Sequence, residues 1–343
     1  MVVADAAPAA LARQNGRVTT SSSARRRRRR RVLRRRRFVA VLIAVAVIAV
    51  IATLALTRPG DADADAPGSP APASTAAVTP GATATATTTA PSPEPTSSPA
   101  PALCDRAGVR SALKNGTDDE VVAAVGGGDE FRAAVASGEA PCLDLAETGR
   151  FWLVVNKRRA LEPIDYWPTP QAQPSGIRVV AGGGWLRADV AAAVDDLAAD
   201  IVADGAGTLA VDSAFRPYGY QVDLYNRYVA SRGRESADLR SARPGHSEHQ
   251  TGLAVDVVAC GSAGCGTHDG FRGTPQAQWL VDNAWRHGFV IRYEEGQTVI
   301  TGYSWEPWHL RYLGRDLAAA YHEGGYRTLE EFFELGAAPD YNE

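Results

Sequence analysis

Residues 246–256 read HSEHQTGLAVD, with two histidines and an aspartate set around Gly252. Asp256 interrupts an otherwise apolar run, Leu253-Ala254-Val255 before it and Val257-Val258 after it. A run of that kind reads as a buried strand. An ionised carboxylate inside one costs several kcal/mol unless a cation or good donors compensate it. The pattern therefore predicts a partner for the charge, and the fold around it has to supply one.

Working outward, the chain alternates short apolar runs with helical periodicity. Residues 188–205 repeat apolar side chains at i, i+3 and i+4 and close on Gly205, the mark of an amphipathic helix. TLAVDSAF (208–215) and LAVDVVAC (253–260) read as strands, and YGYQVDLYNRYVASRG (218–233) and QAQWLVDNAWRHGF (276–289) as helices. FWLVVNK at 151–157 reads as a strand leading into a proline-rich extended segment. Strands and helices mix without regular βαβ repetition. This predicts an α+β domain with a largely antiparallel sheet and flanking helices.

The chain has further parts. Residues 25–37 are RRRRRRRVLRRRR and abut FVAVLIAVAVIAVIATLAL at 38–56, which carries no charge. Such a run is long enough to span a bilayer, and the arginines on its N-terminal side keep that side cytoplasmic. Abutment to the apolar run also argues against a nucleic-acid role for the arginines. Thirteen of the 36 Lys and Arg residues precede residue 58, against one of the 39 acids, so the remainder is distinctly acidic and offers no second polyanion surface. Residues 57–102 are mostly Ala, Thr, Ser and Pro with almost nothing large to bury, the composition of a disordered linker.

The organisation expected is a cytoplasmic Arg-rich tail (1–37), a transmembrane helix (38–56), a linker (57–102), a small helical subdomain (103–148) and a catalytic domain (149–335). Localisation is then a single-pass membrane protein with its catalytic domain outside the cell. Four cysteines, all on the outer side, favour disulfides, and nearest-neighbour pairing joins Cys104 to Cys142 and Cys260 to Cys265. Sequence permits three connectivities, and Cys260, Cys265 and His268 could instead hold a structural zinc.

A catalytic zinc site needs three protein ligands and an open position. His249 and Asp256 offer two, with a turn at Gly252 between them, and His309 in SWEPWHLRYLG is the candidate third. Glu306, three residues before His309, is placed to act as a base. Taken singly, each of these residues reads as structural or solvated.

The stretches VNKRRALEP, SAFRPYGYQ, PGHSEHQTGLAVDV, GFVIRY and ITGYSWEPWHLRYLG resemble the VanY-type zinc D-alanyl-D-alanine carboxypeptidases, within the wider lysostaphin, D-Ala-D-Ala and hedgehog group. The resemblance spans about residues 150–320 and carries both SxHxxGxAxD and ExWH. It implies Zn2+ on His249, Asp256 and His309, Glu306 as catalytic base, and a substrate-facing Arg216 accompanied by Gln221 and Ser247. The substrates it implies are peptidoglycan stem peptides. Neighbouring activities in the group are L,D-carboxypeptidase, D,D-dipeptidase and non-catalytic wall binding, and the last has no use for a base at Glu306.

Overall fold

The computed structural model describes residues 102–181 and 183–342; the expectations for the tail, the apolar span and nearly all of the linker lie outside these residues. Among the described residues no helix is long and apolar enough to cross a membrane.

The apolar run around Asp256 becomes the middle of a mixed sheet. Its strands in chain order are β1 (Arg178–Val179), β2 (Thr208–Ser213), β3 (Ala254–Gly261), β4 (Gly264–Cys265), β5 (Phe289–Tyr293) and β6 (Glu306–Tyr312). They lie in the order β1-β2-β3-β6-β5, with β4 paired off β3. Only the short β1–β2 pairing is parallel. Ala254 to Val258 are buried in succession, which is why β3 shows an unbroken apolar run and not an alternating one.

Helices cover the sheet. In α4 (Ala188–Ala203), Val190, Val194, Leu197 and Ile201 form one buried stripe, as the i, i+3, i+4 spacing predicts. Two further helices are α5 (Tyr218–Arg232) and α6 (Pro275–Asn283). The single helix expected over 276–289 is divided: α6 ends at Asn283, a 3-10 turn covers Ala284–His287, and Gly288 adopts a left-handed conformation that turns the chain into β5.

The stretch 151–157 departs from expectation more clearly. Leu153 to Val155 are buried, yet the segment forms no strand and has only an isolated bridge between Asn156 and Arg159. Three of its carbonyls are satisfied by side chains instead of a ladder. Arg311 donates to Phe151 O and Leu153 O, and Arg159 donates to Val154 O at 3.1 Å. Buried backbone needs partners but not strand partners, and apolar content does not distinguish the two.

Ahead of it run α1 (Ala107–Asn115), α2 (Asp118–Val125) and α3 (Gly128–Ala136). A capping box opens α2: Thr117 Oγ1 accepts from Glu120 N at 3.2 Å, and the Glu120 carboxylate accepts from Thr117 N at 2.6 Å. Asp118 then accepts from Phe151 N at 2.8 Å and from Arg187 at 3.1 Å, tying these helices to the segments that follow. Phe131 meets Trp152 with ring centroids 5.0 Å apart, so the apolar core is shared. Both disulfides are those of nearest-neighbour pairing, Cys104–Cys142 and Cys260–Cys265, which leaves no thiolates for a zinc site with His268.

The α3 helix reaches α7 (Arg315–Glu323) at Gly128, where an added Cβ would stand 2.2 Å from Asp316 O and 2.9 Å from Ala320 Cβ. Glycine is required there by closeness. We expect Gly128→Ala to force the helices apart and cost about 1–3 kcal/mol in denaturant unfolding. A change below about 0.5 kcal/mol would show that the two helices do not pack closely in solution.

Candidate metal centre

Two of the expected ligands are brought together by strand register. Asp256 on β3 lies directly opposite His309 on β6 in an antiparallel pair, so both side chains leave the same face of the sheet. His309 Nδ1 stands 3.0 Å from Asp256 Oδ1.

The third arrives by a turn. Residues Glu248–Thr251 form one turn of 3-10 helix, closed by Gly252 at φ 71° and ψ 9°. A side chain at Gly252 would be strained by that φ and would meet Arg187 N at 2.9 Å and Pro168 Cγ at 3.0 Å. The turn sets His249 Nε2 3.3 Å from Asp256 Oδ2, and the two imidazoles are near perpendicular at 4.9 Å.

This trio fits a divalent cation. One ligand atom from each of His249, Asp256 and His309 lies within 4.8 Å of the others, and all three residues are buried. His249 Nε2 and Asp256 Oδ1 find no hydrogen-bond partner although both are buried. They converge on one point without bonding each other. His249 Nδ1 donates to Ala214 O at 2.8 Å, which leaves the Nε2 lone pair free. Two imidazole nitrogens and a carboxylate oxygen are a donor set suited to zinc with a position left for chemistry.

Electrostatics set by the protein's own charges favour ligation at two of the three residues. Burial, reinforced by the Arg216 charge, lowers His249 to about 4, keeping it neutral and able to ligate. Burial also opposes charge on Asp256, but His249 and His309 outweigh it and hold the carboxyl well below its usual range. His309 is the exception: burial opposes its charged form, but the Asp256 and Glu248 carboxylates prevail and raise it to about 9, so a cation has to displace a proton to bind it.

Glu306 opens β6 with its carboxylate 4.0 Å from His309 Nδ1 and its side chain 15% exposed to the cleft. Residues three apart face opposite sides of a regular strand. Here the register against β5 shifts between Ile291 and Tyr293, and Glu306 and His309 both line the cleft. Burial pushes the Glu306 carboxyl up to about 8, with Asp256 adding to the rise and His309, Arg216 and Arg240 opposing it. A carboxyl so raised is suited to taking and returning a proton near neutral pH.

The cleft holds about 390 Å³. Arg216 lines it from the loop after β2, anchored by its own N–H to His249 O at 3.2 Å, and its buried Nε has no partner among the described residues. Ser247 lines it too. Gln221 does not: it is fully buried behind the wall, donating to Ser241 Oγ at 3.1 Å and Ala242 O at 2.7 Å. It holds the 241–242 segment against α5.

Further residues complete the cleft. His268 stacks on Trp308 with ring planes 5° apart and stands 3.1 Å from Asp212, and all three line the cleft. Arg232 and Arg240 line it as further cations, so Arg216 does not stand alone. Glu248, between two motif residues, turns its carboxylate inward to His309 Nε2 at 3.2 Å. Its immediate neighbourhood to Ser247 and His249 was the only local signal.

Comparison with known proteins places these features in context. Residues 183–315 match the family model described as VanY, D-alanyl-D-alanine carboxypeptidase. The chain is 30% identical over 150 residues to a D-alanyl-D-alanine carboxypeptidase of Enterococcus faecium, covering 44% of each chain. It is 42% identical over 108 residues to a second one, from Enterococcus faecalis (strain ATCC 700802 / V583), covering 31% of this chain and 36% of that one. The chain thus spans less than half the length of these curated relatives. Among solved structures, the LdcB LD-carboxypeptidase is 34% identical with a TM-score of 0.50, covering 54% of this chain and 86% of the other.

If the trio holds a cation, Zn2+ added to the chelator-stripped protein at about a hundredfold over Kd should raise stability by ~2.7 kcal/mol. In a domain of this size that is a Tm rise of roughly 5–10 °C. Thermal unfolding should show the rise in the wild type and not in Asp256→Ala; an equal rise in both would place the cation elsewhere.

Proposed function

The chain belongs to the VanY D-alanyl-D-alanine carboxypeptidase family, and from that premise we propose that it is a zinc peptidase removing the C-terminal D-alanine from peptidoglycan stem peptides. The observation that carries this is the convergence of His249, Asp256 and His309 beside a raised, cleft-facing Glu306. When bound, zinc supplies a Lewis acid that polarises the scissile carbonyl and makes water a stronger nucleophile.

The chain's own residues do the rest. Glu306 accepts the proton of the attacking water on a carboxylate oxygen and passes it to the leaving amine nitrogen. Arg216, with no carboxylate of its own, receives the substrate's terminal carboxylate through a fork of donors, and Ser247 adds a polar contact in the same cleft. Trp308 and Tyr303 close its sides. A base in place at Glu306 speaks against non-catalytic wall binding.

The charge-free run at 38–56 behind its arginine tract supports a single-pass anchor, with residues 57–102 as tether and the catalytic domain outside the cell. Two disulfides accord with an oxidising compartment. L,D-carboxypeptidase activity is the second reading, favoured by the likeness to LdcB.

Mass spectrometry of synthetic stem peptides incubated with the purified protein separates these readings. Loss of one D-alanine from a pentapeptide ending in D-Ala-D-Ala is expected. Glu306→Gln should slow it by at least ~10²-fold with zinc still bound. A C-terminal amide should be a poor substrate, and Arg216→Ala should remove most of a roughly ten- to hundredfold preference for the acid. Cleavage confined to tetrapeptides would establish the L,D activity, and equal cleavage of acid and amide would contradict a carboxypeptidase.

A further inference from the structure

We propose that Glu248 is the positioning residue of this metal centre: it dictates which nitrogen of His309 faces the cation. The inference rests on the metal-centre reading above and extends it to a residue that neither binds the ion nor touches substrate. His309 lies between two carboxylates, with Nδ1 3.0 Å from Asp256 and Nε2 3.2 Å from Glu248. An imidazole can ligate only through a nitrogen without a proton, so a fixed acceptor at Nε2 holds the proton there and presents Nδ1.

Glu248 is kept in the acceptor role by what surrounds it. Its Oε1 accepts from Arg292 Nε and from Arg311 Nη1, each at 2.8 Å, and its Oε2 accepts from His309. Arg292 in turn grips Glu330 through two hydrogen bonds at 3.0 and 2.8 Å, and Asn156 donates to Glu330 at 2.9 Å. Glu248, Arg292, Arg311 and Glu330 are each at most 2% exposed. Two guanidinium groups face the two carboxylates, so each acid of the buried network has a cationic partner. With both oxygens committed, Glu248 does not compete with Asp256 for the ion.

Stability alone is a poor reason for this arrangement, since buried ion networks are often replaced by apolar side chains without loss. Placement gives a better one. Glu248 is the neighbour of ligand His249, and Arg311 follows ligand His309 by two residues on the same face of β6, so the segments that supply ligands also supply the clamp.

Glu248→Gln tests this at constant size. The two arginines retain the amide oxygen, so the amide NH2 faces His309 Nε2 and calls for a lone pair there, which moves the proton to Nδ1, where the cation should bind. Zinc affinity of the full-length chain, measured by chelator competition, should fall about 10–100-fold. Glu330→Gln removes a charge from the same network without touching His309; it should lose comparable thermal stability and keep its zinc affinity within about twofold. Equal affinity losses in the two variants would reduce Glu248 to a structural role and overturn the proposal.

A second readout needs no variant. In the zinc-loaded wild type, 15N labelling of the six histidines should show His309 carrying its proton on Nε2 and the metal on Nδ1. Coordination through Nε2 would overturn the proposal even if Glu248→Gln failed to fold. A wild type that binds no zinc would instead overturn the metal-centre reading itself.

Discussion

The antiparallel pairing of Asp256 with His309 is the constraint on which the rest of the site depends. It puts a carboxylate and an imidazole side by side on a sheet buried on both faces, where neither is acceptable without compensation. Everything else in the cleft is arranged around that pair. The turn at Gly252 swings His249 in from one side, and the irregular start of β6 brings Glu306 in from the other. Arg216 is fixed to the same turn through its backbone.

Charge is managed in two layers. Facing the cleft, Asp256 is the acidic member of a trio that a divalent cation would complete. Behind it, Glu248 and Glu330 are paired with Arg292 and Arg311. His309 belongs to both layers. Arg311 also satisfies the carbonyls of Phe151 and Leu153, so the same guanidinium that holds the clamp anchors an irregular buried segment. Loss of that one side chain would leave both a buried carboxylate and buried carbonyls underpaired.

Much of this was legible from local spacing. His249, Gly252 and Asp256 lie within eight residues, and Glu306 and His309 within four, so each half of the site is one motif. The helix over 188–203 and the strand over Ala254–Gly261 were readable from periodicity and apolar content. Glu248 was not, because its meaning depends on Arg292 and Arg311, which are remote in sequence and meet it only in the folded sheet. Gln221 illustrates the converse: a polar residue beside a motif reads as a cleft contact, yet the helix turns it inward to hold the wall. Segment 151–157 has the composition of a strand and lacks only a neighbouring strand, which composition cannot reveal.

The central claim is that Asp256 is tolerated in β3 because it shares a cation with His249 and His309. Anomalous diffraction at the zinc edge from crystals of the zinc-loaded protein tests it most directly. The account predicts one strong peak per chain among these residues, about 2.0–2.2 Å from His249 Nε2, an Asp256 carboxylate oxygen and His309 Nδ1. A peak on other residues, or none there at full zinc occupancy, would contradict it.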